Sequence, residues 1–203
     1  MSQEKKIYKL FAQPIFQYKI DNYKTHNENL KKYIYNLYEK DKVGIQRSNI
    51  DGWHSKNFYI VDQESAAFKF FKETRKYIED VFKIMGWKYE PTKVKMSEMW
   101  AVINKKNNLN TIHTHPNNYL SAAYYVKAPK NCGKIKFLNP VDIAKERYPK
   151  LEQPTEFNQN GVEIEPREGD LLLFPAYLMH GVNRNQTDED RIVISFNVDI
   201  TRF

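Results

Sequence analysis

Cysteine is almost absent from this 203-residue sequence, in which Cys132 is the only one. A single thiol excludes a framework of internal disulfides and a metal site built from thiolates alone, and it suits a reducing compartment. A bound metal would therefore have to use His, Asp or Glu. Histidine is itself scarce, with five residues in the chain.

Long apolar runs are missing as well. No stretch approaches the roughly 20 apolar residues of a membrane-spanning helix, and the first ten residues, MSQEKKIYKL, lack the apolar segment of a signal peptide. We therefore expect a soluble, cytoplasmic protein without a membrane partner. Residues 1–50 hold ten Lys and Arg against five Asp and Glu. A basic segment can meet nucleic acid, but dispersed surface lysines are the commoner explanation, so charge alone indicates no such partner.

Two amphipathic helices are predicted in the first half of the chain. The first covers residues 25–40, where Thr25 and Glu28 have the spacing of a capping box. The second covers residues 65–86, with Gly86 in the position of a C-terminal cap. The apolar side chains at helical spacing, which we expect in the core, are Leu30, Tyr33, Ile34 and Leu37 in the first helix and Phe68, Phe71, Ile78, Val81, Phe82 and Met85 in the second.

Short β-branched and aromatic runs, broken by Asn, Pro and Gly, follow from about residue 93 and predict strands. Eight strands after two helices favour a mainly β protein: a jelly roll with the helices packed outside one sheet. We expect a single domain over 1–203, with a helical part at 1–92 and the jelly-roll core at 93–203. The irregular stretch at 139–161 is longer than usual connections, and such loops are often lids or binding loops. The predicted strands lie near 93–104, 109–114, 119–127, 134–138, 161–165, 170–174, 177–183 and 191–201.

Three histidines form the candidate metal site. His113 and His115 are two residues apart, so they project from the same face if the strand reaches that far. His180 lies in a distant predicted strand, and three facial ligands with open positions opposite are typical of non-haem Fe(II) sites. His54 could hydrogen-bond a loop or line the pocket, and we expect the structural role, because no second candidate ligand lies near it in the sequence.

Arg191 begins the last predicted strand, eleven residues after His180. It shares strand parity with Ser195, so its guanidinium can enter the barrel, where a fork of donors fits the far carboxylate of 2-oxoglutarate. Tyr125 offers a hydrogen bond on a face that it shares with two small side chains. Pairing of Arg191 with an acidic residue in 188–190 is the alternative interpretation. The remaining candidates are Ser121 and Ala123, which share the face of Tyr125, and Trp100 and Asn104, which could line the pocket.

The stretches DGWHS, HTHPNNYLSAAYYVKAP, LLLFPAYLMHGV and RIVISFN resemble the Fe(II)- and 2-oxoglutarate-dependent oxygenases of the prolyl-hydroxylase type, and more narrowly a family of 2OG-Fe(II) oxygenases from bacteria and their phages. The resemblance runs from about residue 9 to the end. It implies a double-stranded β-helix, His113 and His180 as iron ligands, Arg191 as the oxoglutarate anchor and Tyr125 as its helper.

One departure concerns His115, because the wider superfamily usually has Asp or Glu there. Either His115 ligates and the site has three histidines, or the position is left empty or taken by water or a halide. We expect ligation, since imidazole and carboxylate both bind Fe(II).

The function that we predict is an Fe(II)- and 2-oxoglutarate-dependent dioxygenase that hydroxylates a primary substrate, with release of succinate and CO2. One rival is a three-histidine dioxygenase of the cupin type that does not use 2-oxoglutarate. The other is a binding module that has kept the barrel without the chemistry. The primary substrate, which could be a protein side chain, a nucleobase or a metabolite, and the oligomeric state have no signal in the sequence.

Overall fold

The computed structural model describes residues 6–8, 11–58, 62–141 and 149–201. Within these residues the chain forms two α-helices and eleven strands, with a 3₁₀ turn at Pro91–Lys93. The elements are β1 (Phe16–Lys19), α1 (Tyr23–Lys40), β2 (Asn49–Ile50), β3 (Trp53–His54), α2 (Ala66–Ile84), β4 (Val94–Asn104), β5 (Leu109–His113), β6 (Leu120–Lys127), β7 (Ile135–Leu138), β8 (Gly161–Ile164), β9 (Asp170–Pro175), β10 (His180–Val182) and β11 (Arg191–Ile200).

The strands form two antiparallel sheets. The larger sheet has the order β1-β9-β6-β11-β4-β3, and the smaller one has the order β2-β5-β10-β7-β8. The predicted jelly roll is therefore confirmed, and its eight predicted strands correspond to β4 through β11. The strand predicted at 177–183 is shorter than expected, because only residues 180–182 pair with neighbours.

Both helices pack on the outer face of the larger sheet, as predicted. The ring of Phe70 in α2 lies 4.5 Å from that of Tyr124 in β6, measured between centroids. The hydroxyl of Tyr124 donates to Asn27 Oδ1 of α1 over 2.6 Å. The buried apolar residues on the helical side of this interface include Leu30, Ile34, Ile78, Val81 and Phe82.

The start of α1 differs from the prediction. The helix begins at Tyr23, and Asn22 before it has a left-handed backbone (φ 50°) without a side-chain cap. Thr25 and Glu28 are therefore helical residues, and the predicted capping box is wrong. In α2 the Oγ of Ser65 accepts a hydrogen bond from the amide of Phe68, and Gly86 follows the helix with φ +65°, as its predicted capping role requires.

The part before residue 93 is less purely helical than expected. Strands β1 and β3 are the two edges of the larger sheet, and β2 is an edge of the smaller one. Within the long connection predicted at 139–161, residues 142–148 lie outside the described residues.

The side chains of β11 point alternately to the two faces of the larger sheet, one covered by the helices and the other facing the interior of the jelly roll. Even positions from 192 to 196 pack in the main core beneath the helices. Odd positions from 191 to 195 line the cavity described below. This alternation aims the predicted anchor Arg191 inward. No helix in the described part of the chain is both long and apolar enough to cross a bilayer.

Candidate metal and co-substrate site

A cavity of about 670 Å³ lies between the sheets, with walls from both of them. A volume of this size accommodates a small-molecule ligand. Its polar and aromatic lining comprises Arg47, Ser48, His54, Lys56, Asn57, Glu98, Trp100, Asn110, Thr111, Thr114, Tyr125, Phe174, Arg191 and Ser195, together with three further histidines.

Those histidines are His113, His115 and His180, and each offers a ligand atom within 4.8 Å of the others. The ring centroids of His113 and His180 are 4.4 Å apart, because β5 and β10 are paired at these two residues. β5 ends at His113, but the amide of His115 donates to the carbonyl of Ala176 over 2.9 Å. That bond keeps the His115 ring beside the other two, at centroid distances of 5.0 and 5.1 Å.

Two of the rings are oriented for metal binding by the backbone. Nδ1 of His113 donates to the carbonyl of Thr111 over 2.7 Å. Nδ1 of His180 donates to the carbonyl of Leu178 over 2.9 Å. A neutral imidazole that donates from Nδ1 keeps the lone pair on Nε2, and such a second hydrogen bond is usual for metal-ligating histidine. His115 has no such bond within the described residues and is in contact with Trp100, at 5.6 Å between ring centroids.

Electrostatics favour the neutral, metal-binding form of the three rings. Burial lowers the pKa of His180 from its ordinary 6.5 to about 3, and the nearby His113 adds to the effect. Burial also lowers the pKa of His115 to about 4, with contributions from His113 and His54. The pKa of His113 is lowered for the same reason, burial. At neutral pH all three rings can therefore donate a lone pair to a cation.

Arg191 is the largest fully buried side chain of the described residues, at 1 % exposure. One of its terminal nitrogens, Nη1, donates to the carbonyls of Cys132, Gly133 and Asn183, at 2.8, 3.2 and 3.5 Å. No carboxylate among the described residues forms an ion pair with it. The acidic residues of the alternative interpretation are engaged elsewhere: Asp188 with Lys106, Glu189 with Lys127 and Asp190 with the hydroxyl of Tyr35.

The hydroxyl of Tyr125 belongs to a side chain that lines the same cavity as Arg191. It has no hydrogen-bond partner within the described residues, and burial raises the pKa of this phenol while Arg191 opposes the rise. Tyr125 is therefore a protonated donor beside a buried cation. Ser195 lines the cavity on the same strand as Arg191. Ser121, by contrast, donates to Asn197 Oδ1 over 2.8 Å and is not part of the cavity wall.

His54 lies in the wall of the cavity, stacked on Trp100. β3 pairs with β4 so that His54 lies opposite Val102, and its ring stacks on Trp100 with 5.6 Å between centroids and 8° between planes. Both residues line the cavity, so His54 has the position of the pocket-lining alternative and not of the structural role that we expected. Asn104, the other pocket candidate on this strand, is fully buried and outside the lining.

Comparison with known proteins agrees with this geometry. Residues 98–197, about half of the chain, match the family described as "Putative 2OG-Fe(II) oxygenase". No curated protein matches the sequence. The stretch that matches contains all three clustered histidines, Tyr125 and Arg191.

Solved structures share the fold at low sequence identity. A prolyl-4-hydroxylase of Pseudomonas putida superposes with a TM-score of 0.67 at 9 % identity, over 95 % of this chain and 96 % of that one. HygX of Streptomyces hygroscopicus, solved with nickel and 2-oxoglutarate, gives 0.64 at 14 % identity, over 94 % and 84 %. A viral collagen prolyl hydroxylase of Paramecium bursaria Chlorella virus-1, solved with 2-oxoglutarate, gives 0.61 at 12 %, over 92 % and 96 %.

The fold and the family match together define a 2-oxoglutarate-dependent non-haem iron oxygenase. The chain belongs to the 2OG-Fe(II) oxygenase family, with Fe(II) as cofactor and 2-oxoglutarate as co-substrate. Its residues fit both the metal and the co-substrate. Three neutral imidazoles suit a divalent transition metal, and a buried guanidinium that pairs with no carboxylate of the described residues suits a dicarboxylate.

The lowered histidine pKa values predict how the metal-free protein responds to acid. Because the unfolded chain takes up protons near pH 6.5 and the folded rings do not, stability present at neutral pH is lost as the pH falls from 6.5 towards 4. Each histidine can contribute at most about 1.4 kcal/mol per pH unit. Urea denaturation in the presence of a chelator should show the loss, and His180→Asn should make it shallower. An equally steep loss in that variant would contradict the assignment to His180.

Proposed function

We propose that His113, His115 and His180 hold the Fe(II), and that Arg191 binds the far carboxylate of 2-oxoglutarate with help from Tyr125 and Ser195. The observation that carries the proposal is the buried Arg191, which opens on the same cavity as the three imidazoles and lacks a carboxylate partner within the described residues. A buried charge left unpaired is costly. A bound dicarboxylate would supply the missing countercharge.

The reaction that we assign is hydroxylation of a C–H bond in a primary substrate that is still to be identified. Bound Fe(II) would supply the coordination positions for a reaction in which O2 is the oxidant: one oxygen atom converts 2-oxoglutarate to succinate and CO2, and the other is inserted into the C–H bond. The protein contributes position and exclusion of water. Arg191 and Tyr125 orient the co-substrate, the three neutral imidazoles fix the metal on one side, and the paired rings of His54 and Trp100 form an aromatic part of the wall.

Two observations, one for each alternative, favour this function over the three-histidine enzyme and over the binding module. A three-histidine enzyme that does not use 2-oxoglutarate has no need of a buried guanidinium that faces the metal cavity. A binding module without chemistry has no need of two histidines whose Nδ1 atoms are both fixed by the backbone. We also propose that the chain acts as one domain, and its cytoplasmic location stays a prediction.

The test is turnover of 2-oxoglutarate labelled at C1. Metal-loaded protein in air should release labelled CO2 and form succinate even without a primary substrate, although slowly, because the co-substrate site is complete within this chain. Omission of Fe(II) should abolish the release. Failure of the iron-loaded, folded protein both to bind 2-oxoglutarate and to decarboxylate it would overturn the proposal.

Substitution of His115 tests whether the third imidazole is a ligand. His115→Asp should retain iron, because an oxygen ligand at that position can still reach a metal held by His113 and His180, and the added negative charge should make the Fe(II) easier to oxidise. His115→Ala should bind iron at least about 100-fold more weakly, because loss of a ligand costs more than the roughly 10- to 100-fold effect of losing a group that orients one. Metal titration by calorimetry and the midpoint potential measure the two effects. An alanine variant that binds iron and consumes 2-oxoglutarate like the parent would show that His115 is not a ligand.

A further inference from the structure

A line of polar side chains ends at the metal-facing nitrogen of His113. Nδ2 of Asn104 donates to Oδ1 of Asn110 over 3.3 Å, and Nδ2 of Asn110 donates to Oγ of Ser48, also over 3.3 Å. Oγ of Ser48 then lies 3.5 Å from Nε2 of His113. Neither Ser48 nor Asn110 belongs to the residues assigned above, although both line the cavity.

The direction of these hydrogen bonds makes the Ser48 hydroxyl a donor. Its oxygen already accepts from the Asn110 amide, which strengthens the hydroxyl as a donor to a further group. Nε2 of His113 can only accept, because Nδ1 of that ring donates to the carbonyl of Thr111. Ser48 therefore donates to the lone pair that a metal would occupy. Within the described residues its hydroxyl has no other acceptor.

The backbone fixes Ser48 in this position. Its carbonyl accepts from the amide of Thr111 over 2.8 Å and from the Thr111 hydroxyl over 3.3 Å. Ser48 directly precedes β2, and the sheet order β2-β5-β10 places it on the opposite side of His113 from His180. A metal held by these two histidines would leave the Ser48 hydroxyl beside the metal, without its present acceptor and in need of another.

We propose that Ser48 is a positioning residue whose hydroxyl donates a hydrogen bond to the carboxylate next to the keto group of 2-oxoglutarate. This inference rests on the proposed function. A carboxylate is the strongest acceptor available to a neutral hydroxyl, and a hydrogen bond to a charged oxygen is about twice as strong as a neutral one. Arg191 and Tyr125 would hold one end of the co-substrate, and Ser48 would orient the other end.

The experiment compares Ser48→Ala with Ser48→Thr, which keeps a hydroxyl, and with Ser97→Ala. Ser97 is a matched control because its hydroxyl is hydrogen-bonded to Asn118 on an exposed surface away from the cavity. Binding of 2-oxoglutarate to each Mn(II)-loaded protein is measured by calorimetry, and the visible charge-transfer band of the anaerobic Fe(II) complex is recorded. Ser48→Ala should bind 2-oxoglutarate about tenfold more weakly and shift the band. Ser48→Thr and Ser97→Ala should stay close to the parent.

Two partial ligands assign the effect to one end of the co-substrate. Pyruvate has the keto-acid end alone, so Ser48→Ala should weaken its binding and Arg191→Lys should not. Butyrate keeps the far carboxylate and lacks both the keto group and the carboxylate next to it, so the two variants should show the reverse order. Metal affinity should be unchanged or slightly higher in Ser48→Ala, because the hydroxyl no longer competes for Nε2 of His113.

Unchanged 2-oxoglutarate affinity and an unmoved band in Ser48→Ala would overturn the inference. Weaker metal binding with unchanged co-substrate binding would overturn it too, because Ser48 would then orient His113 instead. Absence of 2-oxoglutarate binding to the metal-loaded parent protein is a different result, which would refute the proposed function itself.

Discussion

His180→Ala is expected to lose its iron while the fold persists. The side chain is one of three imidazoles within 4.8 Å of one another, and Nδ1 is bound to the Leu178 carbonyl so that only Nε2 is free for a metal. Loss of a partner that merely orients a ligand costs about 10- to 100-fold in metal affinity, so loss of the ligand itself should cost at least about 100-fold.

Metal content after dialysis and a calorimetric Fe(II) or Mn(II) titration measure this effect. Circular dichroism and thermal unfolding of the metal-free proteins check that the fold is intact. His26→Asn is the matched control, because His26 lies in α1 and is not one of the residues that line the cavity. Stoichiometric, tightly bound metal in His180→Ala would disprove the assigned site.

Arg191→Ala is expected to lose 2-oxoglutarate binding by at least about 100-fold, the effect of removing one partner of a buried charge pair. Arg191→Lys should retain a charge but not the planar fork, and should lose about tenfold or more. Metal affinity should change little in both variants, because Arg191 is not part of the histidine cluster.

The alanine variant has a structural cost, since the carbonyls of Cys132, Gly133 and Asn183 lose their donor. Its thermal stability must therefore be measured beside its affinity, and the lysine variant serves as the milder probe. Arg184→Ala is the control for loss of an arginine, because its Nη1 bonds the carbonyl of Asn107 on an exposed surface. Unchanged oxoglutarate affinity in both Arg191 variants would place the carboxylate anchor elsewhere.

Most of the fold could be predicted because its long strands have a clear local pattern. From residue 191 to residue 196, β11 alternates between cavity and core, and the sequence RIVISF displays that alternation. β2 and β3 have two residues each, so they contain no period to detect. They exist only because β5 and β4 supply hydrogen-bonding partners from distant parts of the chain. The start of α1 was missed for a similar reason, since Asn22 begins the helix through its backbone conformation without a capping side chain.

The candidate site also combines residues that a local sequence pattern indicates with residues that only distant contacts bring into place. Three histidines and one arginine could be chosen from residue type, strand parity and spacing, and the structure brings the three rings into one cluster. For His54 the sequence leaves a loop contact and a pocket position both open, because no candidate ligand lies near it, and only the pairing of β3 with β4 brings it against Trp100. Ser48 has no sequence signal at all. Its position depends on the hydrogen bonds that Thr111 and Asn110 form across two strands.

The three backbone carbonyls around Arg191 also bear on the chain length of the keto acid. They come from residues 132, 133 and 183, so the guanidinium is tied to two separate segments and cannot slide along the cavity. The span from the histidine cluster to this cation is therefore set by the backbone. If Arg191 is the anchor, as proposed above, we expect 2-oxoglutarate to bind more tightly than oxaloacetate, which is shorter by one methylene, and than 2-oxoadipate, which is longer by one. An arginine held in this way would then select the co-substrate by length as well as by charge.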